Sequence, residues 1–241
     1  MILGGALLLA AVSSSAQLNV QLHYDLGRAC YGSDLDNRQR LTATVENFTA
    51  DKWGSTYFFV DADFGDQSMR GAYTEISREL QFWKFPLAFH VEYNGGLSYG
   101  SGKGDGYAFN NAYLGGLAYN WNSADFTKGV SVQLMYKYLA KYGAYTNSWQ
   151  LTGVWLNTFA NGICTFSGFA DLWYDNTVSG NLIFLTEPQF WVNLYALKRV
   201  SDDFKLSVGT EVEISTNFVY SSTGAHDRFY ALPTLACKWT F

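Results

Sequence analysis

No stretch of this chain is long and apolar enough to form a membrane-crossing helix. Ile2 to Val12 is an apolar run at the amino-terminus, but it falls well short of the roughly 20 residues a spanning helix needs, and no later stretch reaches that length either. Any crossing of a bilayer must therefore be made by strands whose backbone groups pair with one another. Basic residues are also scarce: 16 Lys and Arg stand against 21 Asp and Glu, a net charge of -5. That balance makes the chain a poor candidate for binding nucleic acid or steering anionic solutes. The three cysteines, Cys30, Cys164 and Cys237, are odd in number and widely spaced. They match no metal pattern, and parity rules out a complete disulfide framework. Cys164 and Cys237 fall on apolar faces, as small hydrophobes do.

The histidines are His23, His90 and His226, and no pair has the helical spacing of a zinc site. No serine sits in a nucleophile-elbow motif. No cofactor and no metal are expected, the one alternative being a Ca2+ held by carboxylates. Gly-rich Tyr99 to Gly106 lacks the strand-to-helix setting of a phosphate loop and reads as an outer loop. Helix signals are few, and no linker, repeat or low-complexity stretch divides the chain, so one domain over 17–241 is the economical reading. Residues 1–16 read as a signal peptide, because the apolar run ends in Ser13, Ser14, Ser15 and Ala16, small residues suited to cleavage before Gln17. No Lys or Arg precedes that run.

What the chain has in quantity is alternation and aromatic rings. Leu18, Val20, Leu22, Tyr24 and Leu26 alternate with Asn19, Gln21, His23 and Asp25, the period of two that marks a strand. Similar segments recur at Arg40 to Phe48, Tyr57 to Phe64, Ala72 to Phe82, Leu87 to Asn94, Ala112 to Trp121, Val130 to Tyr138, Trp149 to Thr158, Cys164 to Trp173, Leu182 to Leu194, Lys205 to Asn217 and Phe229 to Phe241. About twelve strands, an even number, predict an all-β, antiparallel up-and-down transmembrane barrel. Connections after odd-numbered strands are long and polar (Ala29 to Gln39, Tyr99 to Asn110, Asn217 to Arg228). Those after even-numbered strands, such as Thr49 to Trp53 and Phe159 to Gly162, tend to be shorter. That is the asymmetry of outer loops and periplasmic turns. Aromatics at 18% and a mean hydropathy of -0.07 fit aromatic girdles on strands that dilute their own hydropathy. For Ala112 to Trp121 the facing stays open: either Tyr113 and Tyr119 or Leu114 and Ala118 look outward.

The closing strand, with Leu235, Cys237, Trp239 and Phe241 alternating, resembles the carboxy-terminal assembly signal of bacterial outer-membrane barrels. More specific words run through the chain: Asp51-Lys52-Trp53-Gly54-Ser55-Thr56 leading into Phe59-Val60-Asp61, His90-Val91-Glu92-Tyr93-Asn94-Gly95-Gly96, Thr165-Phe166-Ser167-Gly168-Phe169, Thr186-Glu187-Pro188-Gln189-Phe190-Trp191, and Glu211-Val212-Glu213-Ile214-Ser215. With these the chain resembles an uncharacterised family of outer-membrane barrels related to the Tsx-like nucleoside-specific channels. The resemblance implies a monomeric barrel that passes nucleosides or solutes of similar size by passive diffusion. It carries over no contact residues.

If the apolar alternates face lipid, the bore is lined by Arg40, Glu46, Tyr57, Phe59, Asp61, Asp63, Glu75, Glu79, His90, Glu92, Asp171, Trp173, Glu187, Gln189, Trp191, Glu211 and Glu213. Lys137, Lys205 and Lys238 are the other bases assigned to that face. Counting back from the turns places Arg40 opposite Asp61, Asp61 near Glu75, Glu75 near Glu92, and Glu79 near His90. Glu187 comes close to Glu211 and Glu213. Two readings of this face stand together. One is a polar network that fills and rigidifies the barrel. The other is a selective bore, in which carboxylates and amides accept hydrogen bonds from a neutral or cationic solute while aromatic rings offer stacking faces. The expected function is an outer-membrane channel for small hydrophilic solutes, not an enzyme. Its partners would be outer-membrane lipid, the barrel assembly machinery and the solute. A closed barrel with a structural or surface-binding role is the alternative, and a lipid-modifying barrel enzyme comes third.

Overall fold

The computed structural model describes residues 16–66, 68–99, 106–109, 111–140, 147–175, 181–219, 221 and 229–241. Residues 1–15 of the expected leader, His226 and most of the Gly-rich loop lie outside the described residues. The strands are β1 (Ala16–Asp25), β2 (Leu41–Asp51), β3 (Gly54–Phe64), β4 (Met69–Leu80), β5 (Leu87–Tyr99), β6 (Gly106–Ala108), β7 (Ala112–Asn122), β8 (Lys128–Leu139), β9 (Asn147–Phe159), β10 (Cys164–Tyr174), β11 (Leu182–Thr186), β12 (Gln189–Asn193), β13 (Leu206–Thr216) and β14 (Phe229–Thr240). A short helix, α1 (Gly27–Tyr31), and a 3-10 turn (Gly32–Leu35) follow β1.

Sequential strands pair antiparallel. β14 also pairs with β1 and β9 with β10, so the sheet closes on itself. β6 continues the ladder of β5 beyond the end of β7. β11 and β12 are halves of one strand, since both pair with β10 on one side and β13 on the other. The ring is therefore a closed twelve-stranded antiparallel barrel. The break between the halves falls at Glu187 and Pro188, because a proline has no N–H to give the ladder. Gly168 on β10 makes room for it. A Cβ there would stand 2.5 Å from the Glu187 carbonyl oxygen and 2.9 Å from the Pro188 Cα, and its φ of +149° suits glycine.

Burial is inverted relative to an ordinary soluble sheet. On β1, Gln21 is 1% exposed while its neighbour Leu22 is 44% exposed. Asn19, His23 and Asp25 are buried with Gln21, whereas Leu18 and Tyr24 are exposed with Leu22. Val60, Ile76, Val91, Leu117, Val132, Leu134, Val208 and Leu235 extend the exposed apolar band around the ring. An apolar exterior over a polar interior is the pattern a bilayer selects in a barrel. No helix among the described residues is long and apolar enough to cross a membrane.

β7 settles the open facing. Leu114 and Ala118 are 4% and 0% exposed and look inward, whereas Tyr113 and Tyr119 lie on the outside. Leu114 packs with Ala112, Met135 and Leu139, an apolar patch on the inner wall.

Candidate functional site: the bore and its mouth

Along the β1 to β4 wall the inward side chains tie together in cross-strand pairs. Glu46 accepts from Asn19 Nδ2 at 2.7 Å and from the Tyr57 hydroxyl at 2.9 Å. Asp61 and Asp63 accept from Thr44 and Thr42 at 2.5 and 2.6 Å, and Glu75 accepts from the Tyr73 hydroxyl at 2.7 Å. The Phe59 ring lies 6.1 Å from Tyr57 and 6.0 Å from Tyr73, and Tyr73 lies 6.2 Å from Phe109. A run of rings thus climbs one side of the bore beside a row of carboxylates.

On β5, His90 stands between two acids. Its Nε2 is 3.0 Å from Glu92 Oε2 and its Nδ1 is 3.5 Å from Glu79 Oε1, which shares its carboxylate with Asn120. Residues two apart on a strand share a face, and here the two side chains also bond. Lys137 on β8 donates to Gln150 Oε1 at 2.6 Å and lies 4.7 Å over the Trp173 ring. Glu75, Glu92 and Asp171 are within its electrostatic reach.

The opposite wall is built around Trp191, which is 0% exposed. Gly209 on the next strand allows this, because a Cβ there would sit 2.8 Å from the indole. Lys238 Nζ lies 4.1 Å over the ring, and the His23 imidazole meets it edge-on at 5.9 Å from a strand on the far side of β13 and β14. Trp191 Nε1 donates to Gln189 Oε1 at 2.9 Å, and Gln189 Nε2 donates to Glu211 Oε2 at 2.6 Å. Glu187, at the break between β11 and β12, is within electrostatic reach of Glu211 and Glu213 on its own wall and of Asp61 and Glu75 on the other.

The mouth at the end away from the termini is narrowed by the first loop. Leu35 is 2% exposed and packs on the inward Tyr230 and Leu232, flanked by Tyr31 and Val219. The Tyr230 hydroxyl donates to Asp34 at 2.9 Å. Arg38 Nε donates to Asp25 Oδ2 at 2.7 Å, and its Nη2 donates to Glu213 Oε2 at 2.6 Å. The loop is thus fixed to the inner wall by apolar packing and by a nearly buried ion-pair triad.

Most residues expected on the inner face are found there, and the register explains the exceptions. The first turn is tighter than Thr49 to Trp53, since Asp51 already pairs with Gly54. Asp61 therefore pairs with Thr44, and Arg40 lies at the rim, 46% exposed and ion-paired with Asp66. Hydrogen bonds from Arg40 and then Arg28 hold the Asp66 carboxyl below the usual carboxylate range. Asp61 faces Tyr73, and Glu75 faces Asn94, two residues from the expected partners, while Glu79 opposite His90 is as expected. Lys205 precedes β13 at the rim, its ammonium 5.0 Å over the Tyr195 ring. Tyr73 and Phe109 join the ring series without having been singled out; Tyr73 shares a strand face with Glu75 and Glu79, so alternation would have found it. The inward folding of Leu35 and Arg38 has no periodic signal.

The family model described as "Domain of unknown function (DUF5020)" matches residues 16–241, and the chain belongs to that family. No curated protein matches the chain. Among solved structures, the barrel is similar to "KdgM porin" at 14% identity and a TM-score of 0.46, covering 93% of this chain and 99% of that one. It is also similar to the outer membrane protein Omp33 of Acinetobacter baumannii, at 10% identity and a TM-score of 0.41, covering 95% of this chain and 98% of that one. A third is the outer membrane channel DcaP of the same organism, at 9% identity and a TM-score of 0.40, covering 86% of this chain and 66% of that one.

Proposed function

We propose that the chain is a bacterial outer-membrane channel that passes small hydrophilic solutes by passive diffusion, without catalysis. The observation that carries this reading is the inversion of the barrel: exposed apolar side chains outside, and an inner face of carboxylates, amides and rings. A structural barrel needs polar groups inside only to satisfy one another. Here the acids outnumber their cationic partners, which gives the bore a cation-attracting field.

In this reading a leader over residues 1–16 exports the chain, both termini lie on the periplasmic side, and the barrel assembly machinery inserts it as a monomer into outer-membrane lipid. Nucleosides are the cargo suggested by the Tsx-like words, and the Tyr57, Phe59 and Tyr73 rings beside Glu46 and Glu75 suit a solute with one flat face and several donors. Purified protein in planar bilayers, with conductance and its block measured across a nucleoside series, tests this directly.

A second reading is supported by the first loop. Leu35 on Tyr230 and Arg38 on Glu213 fill part of the mouth, as in a closed barrel that serves as a scaffold for surface binding. The same bilayer measurement separates the two, because a closed barrel conducts nothing.

A further inference from the structure

On the inner face of β5, Glu92 Oε1 and Asn94 Oδ1 are buried acceptors that receive no hydrogen bond from the protein. The Glu92 side chain is 9% exposed and Asn94 is 4% exposed. They are successive inward residues on one strand, Asn94 pairing with Glu75 on β4. A buried acceptor left without a donor destabilises the fold, so two of them on successive inward residues of one strand mark a place where a donor can be received.

The lysines of the bore indicate which donor. Lys137 and Lys238 each place an ammonium over an indole, at 4.7 Å over Trp173 and 4.1 Å over Trp191. Each also has carboxylates within electrostatic reach: Glu75, Asp171 and Glu92 for Lys137, and Glu46 and Glu211 for Lys238. Both side chains are tethered alkylammonium groups held by rings and acids. Glu92 and Asn94 share the first of these acid clusters; Glu92 Oε2 is met by His90 Nε2 at 3.0 Å, while Glu92 Oε1 and Asn94 Oδ1 receive no donor. Lys137 spends a donor on Gln150 and stands beyond Leu114, the residue that separates it from Glu92 in the register.

We propose that Glu92 and Asn94, with Glu75 beside them, form a binding station for the primary ammonium group of a solute in transit, so that the bore favours amines over uncharged or anionic molecules of the same size. A primary ammonium has the several N–H donors needed to satisfy both orphaned oxygens at once, and charge-assisted bonds of this kind are the stronger class. The station deepens the channel reading, in that it takes the bore to be the solute path.

The test is titration calorimetry of the folded, detergent-solubilised barrel with butylammonium, set against tetramethylammonium, which has charge but no N–H donors, and butanol, which has no charge. The wild-type barrel should bind butylammonium most tightly. Glu92→Gln should weaken that binding by about tenfold, the loss of one charge-assisted bond, and Asn94→Leu should weaken it to a smaller degree. Lys137→Met removes a competing positive charge and should strengthen binding, a gain that general structural damage does not produce. Equal binding of butylammonium and tetramethylammonium, or a butylammonium affinity unchanged in both Asn94→Leu and Lys137→Met, would overturn the proposal. A barrel that conducts KCl yet shows no preference for butylammonium refutes the station and leaves the channel reading standing. A barrel that binds butylammonium through Glu92 and never conducts refutes the channel reading and, with it, the station's place on a transit path, leaving only an ammonium-binding site.

Discussion

Arg38 in the loop after β1 donates to Glu213 on the inner face of β13 at 2.6 Å, across 175 residues of sequence. Its second bond, to Asp25 at the end of β1, makes the guanidinium the centre of a triad whose side chains are 11%, 12% and 4% exposed. Charges taken so far from water are retained only when each is paired. The loop is therefore pinned into the mouth by electrostatics, and by the packing of Leu35 beneath Tyr230 and Leu232.

Removing the centre of that triad leaves two buried carboxylates without their shared cation. Arg38→Gln should cost about 3–5 kcal/mol, the usual penalty for breaking a buried ion pair. It should also raise single-channel conductance as the loop leaves the mouth. Denaturant unfolding in detergent and bilayer recording check the two effects.

Leu35→Ala tests the apolar half of the same attachment. A buried leucine truncated to alanine costs about 2–5 kcal/mol when its pocket cannot collapse. A loop can relax more readily than a barrel wall, so a loss near the lower end is expected, with faster amide exchange in α1.

Acids of one wall should set the ionic preference of the bore. Replacing Glu187, Glu211 and Glu213 together by Gln should move the reversal potential in a salt gradient toward that of a nonselective pore. Arg40→Gln, a change in a rim pair exposed to solvent, should barely shift it, since such pairs are screened.

One turn carries a pH signature. Hydrogen bonds from the Ser123 hydroxyl and from the Thr127 backbone and hydroxyl lower the Asp125 pKa to about 2, from 3.8. A depressed carboxyl stabilises the fold fully above its unfolded pKa and loses that contribution as pH falls through its folded value. Amide protection in the 123–127 turn, taken relative to the intrinsic exchange rate at each pH, should therefore fall between about pH 4 and pH 2. In Asp125→Asn the protection should already be low at neutral pH and change little over that window.

The barrel was legible because its strands alternate on a period of two, and a polar residue on the wrong face of such a strand meets hydrocarbon. That constraint is strong for β1, where Gln21 and Leu22 have opposite burial. It is weak for β7, where Tyr113 and Leu114 are both apolar and only the neighbouring Met135 and Leu139 decide the facing. Register was less legible than facing. One tight turn at Asp51 and Gly54 moves Arg40 out of the bore and replaces its expected contact with Asp61 by a bond from Thr44. The triad of Arg38, Asp25 and Glu213 depends on a loop folding back over the ring, which no local pattern encodes.

The central claim is that the polar interior is a conducting path. Purified, folded protein in planar bilayers at symmetric KCl should show discrete conductance steps that shrink on addition of a solute the bore accepts, and cations should carry most of the current in a gradient. A folded, inserted barrel that shows no conductance, in wild type and in Arg38→Gln alike, would contradict it.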